Sequence, residues 1–234
     1  MIRWEHAPGP YEVVFSTREG GVSEGPFASL NLGRATADEP ERVDENRRRL
    51  CAEIGAQPDA LAMNYQHHST DVLRARAGSR GERGDGLWTD ERGLPLLALA
   101  ADCLPIALAR ANGGKPALAV LHAGWRGLLD GIAASGVQAL GAGLVAAIVG
   151  PGIGPCCYEV GEEVAAPFRR AFGLGLVRDG KLDLWSAAER ALRGAGCARV
   201  DRVDLCTACE PERFFSHRRD DGITGRQGVL GLIG

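Results

Sequence analysis

The sequence is poor in several features that mark particular classes of protein. It has no dense basic run, and a formal net charge of -3 with an isoelectric point near 6.0 gives no indication of nucleic-acid binding. The opening residues, MIRWEHAPGP, lack the apolar core and small-residue cleavage site of a secretory signal. The longest apolar stretch, residues 94–111, is interrupted by Asp102 and Pro105, which disfavours a membrane span. We therefore expect a cytoplasmic protein with no nucleic-acid or membrane partner.

Histidine is scarce, with five copies, and cysteine is present in an odd number, seven. In a chain without an export signal, seven cysteines favour reduced thiols, catalytic or metal-bound, over a disulfide scaffold. Cys206 and Cys209 have C-x-x-C spacing, but the adjacent pair Cys156 and Cys157 does not provide a second pair of that spacing. We interpret these four cysteines as mainly structural.

Short apolar segments alternate with helical patterns along the chain. Continuous rather than alternating apolarity predicts strands buried on both faces, at residues 11–16, 94–100, 104–109, 116–123 and 143–150. Helices are predicted over residues 38–55, 128–143, 160–173 and 183–196. The polar, glycine-rich residues 74–86 predict an exposed loop. The alternation predicts an α/β protein layered around one central sheet, in a single domain over residues 1–234.

Reactive side chains follow several of these strands, where ligands collect in α/β proteins. His68 (or His67), Cys103 and His122 would meet at one rim if the strands run parallel. Two histidines and a thiolate form a catalytic zinc set with one open position, and such zinc lowers the pKa of bound water to about 7. Asp102 would then act as a base or orient an imidazole. Two alternatives stay open: a metal-free Cys103 nucleophile with His122 as its base, or a hydrogen-bonded His122 beside a small buried Cys103.

A second group of side chains suits an anion. Arg218 and Arg219 lie in the glycine-containing segment FFSHRRDDGITGRQ, and Arg126 lies at a predicted helix start. Guanidinium groups bind phosphate or carboxylate through paired hydrogen bonds. Arg18 and Asn31 occupy a similar turn-rich loop near the start of the chain. The alternative is a solvated basic loop in which Asp220 and Asp221 pair with the arginines.

Five motifs, taken together and in order, resemble the YfiH/laccase-domain family, also called multicopper polyphenol oxidase-like or peptidoglycan editing factor proteins. They span residues 16 to 227 and read STREGGVSEGPFASLNLG, ADCLPI, HAGWRG, GPGIGPCCYEVG and DLCTACEPERFFSHRRDDGITGRQ. The resemblance implies a single three-layer α/β/α domain with a mixed central sheet, similar to the cysteine-hydrolase fold. It also implies a zinc site of two histidines and one cysteine, at His68, Cys103 and His122. His67 departs from the family pattern, which has an apolar residue there.

The resemblance also implies an activity. It points to phosphorolysis of adenosine, guanosine, inosine and S-methyl-5'-thioadenosine, with deamination of adenosine, so that the partners are a nucleoside and phosphate. Arg18, Arg126, Arg218 and Arg219 are the candidates for holding phosphate, and Asn31 is a further candidate for binding substrate. The alternative enzyme is a Cys103/His122 amidase acting on a peptidoglycan precursor; a non-enzymatic binding module is the remaining class.

A copper polyphenol oxidase is disfavoured. Five histidines are too few for several copper centres, and neither Met1 nor Met63 has an evident reason to be an axial ligand. Copper is the alternative ion to zinc. The sequence leaves the oligomeric state open, and a monomer is compatible with it.

Overall fold

The computed structural model describes residues 1–234 and contains two six-stranded mixed sheets. The first sheet has the spatial order β1 (Ile2–Arg3), β2 (Tyr11–Phe15), β14 (Gln227–Ile233), β7 (Leu96–Ala100), β3 (Ala62–Tyr65) and β5 (Arg80–Arg83). The second has the order β13 (Cys197–Arg202), β10 (Val145–Val149), β8 (Leu104–Arg110), β9 (Leu118–Ala123), β6 (Gly86–Thr89) and β4 (Val72–Arg74). A small hairpin joins β11 (Val177–Arg178) to β12 (Lys181–Leu182).

Five α-helices cover the outer faces of the two sheets. They are α1 (Pro40–Ala52), α2 (Trp125–Asp130), α3 (Ile132–Leu140), α4 (Glu162–Phe172) and α5 (Leu184–Gly194). Helix α1 packs on the first sheet through Leu50 and Cys51, while the other four pack on the second sheet. None of the helices has the length and apolar character that crossing a membrane requires.

The strands alternate their side chains between two apolar cores. In β8, Ile106 and Leu108 face the helices, whereas Ala107 and Ala109 face the first sheet. Phe15 belongs to the same core between the sheets. The strands that were expected to be buried on both faces are so buried, apart from the exposed Glu12 in β2.

The α/β class and the mixed strand directions are confirmed, and the number of layers is corrected. The strands form two sheets packed face to face between helices, not one central sheet. Each face of an apolar strand is buried equally well by a helix or by a second sheet. The composition of the strand therefore does not distinguish the two arrangements.

Two segments differ from the sequence-based expectation. The helix predicted over 128–143 is divided into α2 and α3 at Gly131, whose φ of 103° is left-handed. The loop predicted over 74–86 contains β5, which pairs in parallel with β3. All four residues of β5 are exposed, so it carries no apolar signal.

Candidate active site

Three side chains from separate parts of the chain meet at the ends of the two central strands of the second sheet. The ligand atoms of His68, Cys103 and His122 lie within 4.8 Å of one another. His68 follows β3, Cys103 precedes β8 and His122 is in β9. The structure therefore brings together the three residues that the sequence predicted as metal ligands.

The register of β8 and β9 places Cys103 beside His122. These strands are antiparallel, and Pro105 pairs with His122 while Leu104 pairs with Ala123. The start of β8 thus lies against the end of β9. The expectation of parallel strand ends is corrected, because an antiparallel pair joins opposite ends of its two strands.

Gly124, in the segment LHAGWRG, leaves room for this meeting. A Cβ atom at Gly124 would lie 2.7 Å from Nδ1 of His68 and 3.0 Å from Sγ of Cys103. Any larger residue would push one of the two groups away, since real Cβ contacts are longer than this. Glycine is required at this position because the side chains of His68 and Cys103 approach the backbone of residue 124 too closely for a Cβ atom.

Asp85 fixes both histidines through one fully buried carboxylate. Its oxygens accept hydrogen bonds from the backbone amides of His67, His68 and Ser69, at 3.1, 2.9 and 2.6 Å. One of them, Oδ1, also lies 2.8 Å from Nδ1 of His122. Because Asp85 occupies Nδ1, Nε2 is the ring nitrogen of His122 that is available as a ligand.

The electrostatics of the site follow from these contacts. Burial would raise the pKa of Asp85, but hydrogen bonds from His122, Ser69 and His67 hold it well below its usual range. Burial would lower the pKa of His122, but neighbouring Cys103 and Asp85 outweigh it and raise the pKa to about 9. Burial, followed by the proximity of His122, lowers the pKa of His68.

His67 points to a different place from His68. Its Nδ1 atom lies 3.5 Å from the Asp85 carboxylate, and its side chain is outside the group of clustered ligand atoms. Between the two adjacent histidines, it is His68 that joins Cys103 and His122. His68 adopts a left-handed φ of 64°, which turns the chain at this point.

Asp102 holds the Cys103 turn to two loops. Its carboxylate accepts from the Thr207 hydroxyl and from the backbone amide of Arg218, both at 2.6 Å. It makes no hydrogen bond to an imidazole, so the orienting role considered for Asp102 falls to Asp85. Both carboxylate oxygens of Asp102 are therefore engaged in holding these loops.

His68, Cys103 and His122 line a cavity of about 380 Å³, whose wall includes residues of both sheets. A cavity of this size is in the range of small-ligand sites. The polar and aromatic side chains in its wall are Thr36, Asn64, Tyr65, Gln66, His217 and Arg226.

Four of the five residues predicted to bind substrate are occupied elsewhere. Arg18 donates to the carbonyls of Ala28 and Pro211, and Arg219 donates to those of Thr207 and Phe214. Asn31 is buried, and its amide is bonded to Gly33, Thr36 and Asp38. The Arg218 guanidinium donates to the Glu159 carbonyl and lies over the Tyr158 ring.

Arg126 is exposed, with its guanidinium 4.2 Å above the Trp125 ring. It is close enough to contribute to lowering the pKa of His68. None of the five predicted residues lines the cavity. Arg18, Arg218 and Arg219 instead hold loops together through hydrogen bonds to backbone carbonyls.

The arginine that does line the cavity is Arg226. It belongs to the same basic segment as Arg218 and Arg219, and its Nη1 atom donates to the carbonyls of Thr224 and Gly225. Burial lowers its pKa, an effect opposed by nearby Cys103 and Asp102. The sequence of this segment indicated a group of arginines, but only the fold shows which guanidinium reaches the cavity.

Comparison with known proteins gives matches along nearly the whole chain. A family model described as multi-copper polyphenol oxidoreductase laccase matches residues 12–233. A protein of Deinococcus radiodurans named purine nucleoside phosphorylase is 44% identical, covering 94% of this chain and 88% of its own length. The purine nucleoside phosphorylase YlmD of Geobacillus stearothermophilus is 34% identical, covering 94% of this chain and 88% of its own.

Solved structures show the same fold. The crystal structure of YlmD from Geobacillus stearothermophilus matches with a TM-score of 0.89 at 32% identity, covering 97% of this chain and 93% of its own. A hypothetical protein YfiH of Bacillus licheniformis matches with a TM-score of 0.85 at 29% identity, covering 99% of both chains. The likeness in sequence and the likeness in fold both extend over nearly the whole chain.

Proposed function

The chain belongs to the family described as multi-copper polyphenol oxidoreductase laccase, and we propose that it acts as a zinc-dependent purine nucleoside phosphorylase. Membership confirms the resemblance that its motifs carry. The observation that carries the proposal is the meeting of His68, Cys103 and His122 at a cavity of about 380 Å³ with Arg226 in its wall. Relatives that match nearly the full chain are named purine nucleoside phosphorylases.

The donor set fits zinc. Two imidazoles and one thiolate are ligands that zinc accepts, and three protein ligands leave a coordination position open in a catalytic site. Asp85 supplies the carboxylate behind His122 that such sites use to fix the imidazole. When bound, zinc would supply Lewis-acid polarisation of an oxygen of substrate or water.

Copper fits less well. Two histidines and a cysteine resemble a blue-copper set, but that set uses a methionine as its usual axial ligand. Met63 packs in the core between α1 and the first sheet and does not line the cavity. The donors near the cavity therefore favour zinc.

In the proposed reaction, an oxygen of phosphate forms a bond to C1′ of the ribose. The bond from C1′ to the purine nitrogen breaks, and the base leaves with its electron pair and takes up a proton. Arg226 is the guanidinium in the cavity wall and serves as the phosphate ligand, with exposed Arg126 nearby at His68. The half-exposed Tyr65 ring in the same wall offers a face for the purine to stack on.

The proposed substrates are adenosine, guanosine, inosine and S-methyl-5'-thioadenosine. A deamination of adenosine, in which water adds at C6 and ammonia leaves, is proposed for the same site. The cavity supports both, since it is large enough for a nucleoside and borders the three ligand residues.

The test is product analysis of zinc-loaded protein with adenosine, in the presence and absence of inorganic phosphate. We expect adenine and ribose 1-phosphate only when phosphate is present, and inosine in its absence. Cys103→Ala should lose both products, while Cys197→Ala, a buried cysteine away from the cavity, should retain them. Arg226→Ala should raise KM for phosphate more than KM for adenosine.

The absence of both products from wild-type protein carrying bound zinc contradicts the proposal. Release of an amine from a peptidoglycan-precursor amide, lost in Cys103→Ala, would instead identify the amidase. That alternative has one structural support, the approach of Cys103 to the His122 ring.

A further inference from the structure

A second group of thiols lies outside the cavity. Cys156 and Cys157 are in the loop between β10 and α4, and Cys206 and Cys209 are in the turn after β13. All four sulfurs lie within 4.8 Å of one another. The Sγ atom of Cys209 is 3.3 Å from those of both Cys156 and Cys157. Their spacing in the sequence favoured a mainly structural role, because no second pair of matching spacing completes a four-cysteine site, but the fold gathers them into one cluster.

Backbone contacts between the two loops create this cluster. Gly152 and Cys206 form a parallel bridge, in which the Thr207 amide donates to the Gly152 carbonyl at 3.1 Å. The Gly154 amide donates to Sγ of Cys206 at 3.2 Å. A hydrogen bond from a backbone amide stabilises a sulfur that carries negative charge. The bridge brings together cysteines that are about fifty residues apart in the chain, a proximity that their spacing in the sequence does not reveal.

We propose that Cys156, Cys157, Cys206 and Cys209 form a second metal site, which binds one zinc ion through four thiolates. A zinc–sulfur distance of about 2.3 Å places the sulfurs of a tetrahedral site about 3.8 Å apart. The separations observed here, from 3.3 Å upward and within 4.8 Å, bracket that value. Four soft ligands around one point select zinc or an iron–sulfur centre. Sulfurs this close together suit a single ion, because a cluster of several metal atoms would hold them farther apart.

Binding converts the four thiols to thiolates and releases their protons to solvent. No oxidation is involved. Cys206 is buried, while Cys156 and Cys209 are exposed, so the ion has a path from the surface. This site has no histidine and no open position, as expected for a structural ion and unlike the cluster in the cavity.

The second site is connected to the candidate active site through Asp102. The Ile153 amide donates to the backbone carbonyl of Asp102, and the Thr207 hydroxyl donates to its carboxylate. Ile153 and Thr207 belong to the two loops that the four thiols join. A zinc ion there would hold both loops against the turn that carries Cys103. Its role is to fix the geometry of the rim, without contact with substrate.

The test measures zinc per chain after dialysis against a competing chelator, under reducing conditions. Cys209→Ser should lose one equivalent relative to wild type. The matched control, Cys51→Ser, alters a lone buried thiol and should lose none. In cobalt-loaded protein, the thiolate-to-metal absorption of a four-sulfur site should disappear in Cys209→Ser and persist in Cys51→Ser.

A measurement on wild-type protein does not depend on whether a variant folds. Alkylation followed by peptide mass analysis should find Cys156, Cys157 and Cys209 protected together and released together by a strong chelator. Equal zinc content in Cys209→Ser and wild type, or alkylation of these thiols at the same rate with and without chelator, overturns the proposal. So does a Cys156–Cys209 or Cys157–Cys209 disulfide in the freshly purified, zinc-containing protein.

Discussion

Asp85 joins the two histidines of the candidate active site to one another. Its carboxylate is held by the amides of His68 and Ser69 on one side, and it holds the His122 ring on the other. A buried carboxylate in this position is ionised, since its pKa is well below the usual range. The orientation of His122 therefore depends on a residue that would not itself touch zinc.

Replacement of Asp85 tests this dependence. Asp85→Asn keeps the shape but turns an NH₂ group toward donors, so we expect zinc affinity at the cavity site to fall about 10–100-fold. Chelator competition monitors the affinity. Asp90→Asn, which alters a half-buried partner of Arg74 away from the cavity, is the control and should leave the zinc affinity unchanged. Equal affinities in the two variants would show that Asp85 does not position His122.

Gly124 offers a steric test at the same scale. In Gly124→Ala the new methyl group would lie 2.7 Å from Nδ1 of His68, so the cluster must open and its zinc affinity must fall. Gly175→Ala adds a methyl group to open space and should not alter affinity. Isothermal titration with zinc compares the two. Retention of wild-type affinity by Gly124→Ala would mean that His68 is not a ligand.

His68, Cys103 and His122 were predictable because each ends or borders an apolar segment, where a polar residue stands out. Asp85 was not predictable, because it lies in a polar, glycine-rich segment in which an acidic residue does not stand out. Arg226 and Arg218 belong to one basic segment, and only tertiary packing decides that Arg226 lines the cavity while Arg218 lies over Tyr158.

At the scale of elements, α3 lies unusually close to the second sheet. A Cβ atom at Gly136 would lie 2.6 Å from Cδ1 of Leu108 and 2.8 Å from Cδ1 of Leu121. Both leucines are fully buried, so a new methyl group would have to displace core side chains. Glycine lowers the intrinsic helix propensity of α3, but it permits close packing of α3 on Leu121 of β9, the strand that carries His122.

Gly136→Ala should therefore lower the free energy of unfolding. Overpacking costs about 1–3 kcal/mol, which exceeds the gain of about 1 kcal/mol from helix propensity. Gly194→Ala lies in open space at the end of α5 and should be neutral or stabilising. Urea denaturation of both variants provides the comparison. A higher free energy of unfolding in Gly136→Ala than in wild type would show that Leu108 and Leu121 move to accommodate the methyl group.

The predicted strands and helices correspond closely to the observed ones, because each has a continuous apolar or amphipathic pattern. The pairing of the strands was not predictable. Ile106 and Ala107 are both simply apolar in the sequence, yet one packs on helices and the other on a second sheet. The break between α2 and α3 at Gly131 was not predictable either, because a glycine within a helical pattern does not indicate its φ angle.

For the molecule as a whole, paired carboxylates determine the response to acid. The Arg202 guanidinium, bonded to Glu189 at 2.8 Å, holds the pKa of that carboxyl below its usual value of 4.5. A carboxyl whose pKa is depressed in the folded state stabilises the fold above its unfolded pKa, and it loses that contribution as the pH falls through the folded pKa. The pKa values of Asp44 and Asp220 are also lowered by arginine partners, so the effects add.

Glu189→Gln should thus be less stable than wild type by about 0.5–1 kcal/mol at pH 7. The difference should shrink as the pH falls below about 4.5, since protonation removes the ion pair from wild type as well. Urea unfolding between pH 2 and pH 7 measures it. A difference that is constant over this range would mean that the ion pair makes no contribution and that another contact of Glu189 is responsible.

Strand β14 lies between β2 and β7, although residues 227–233 come more than two hundred positions after β2. During synthesis on the ribosome, the first sheet therefore remains in two separate parts until these residues emerge. The β8–β9 pair, with Cys103 and His122, is complete long before then, and His68 has already been made. His217 and Arg226, which line the cavity, arrive with the final segment. The nascent chain thus has all three proposed metal ligands before the cavity wall is complete, so an ion would have access to them from open solvent while the protein is still being made.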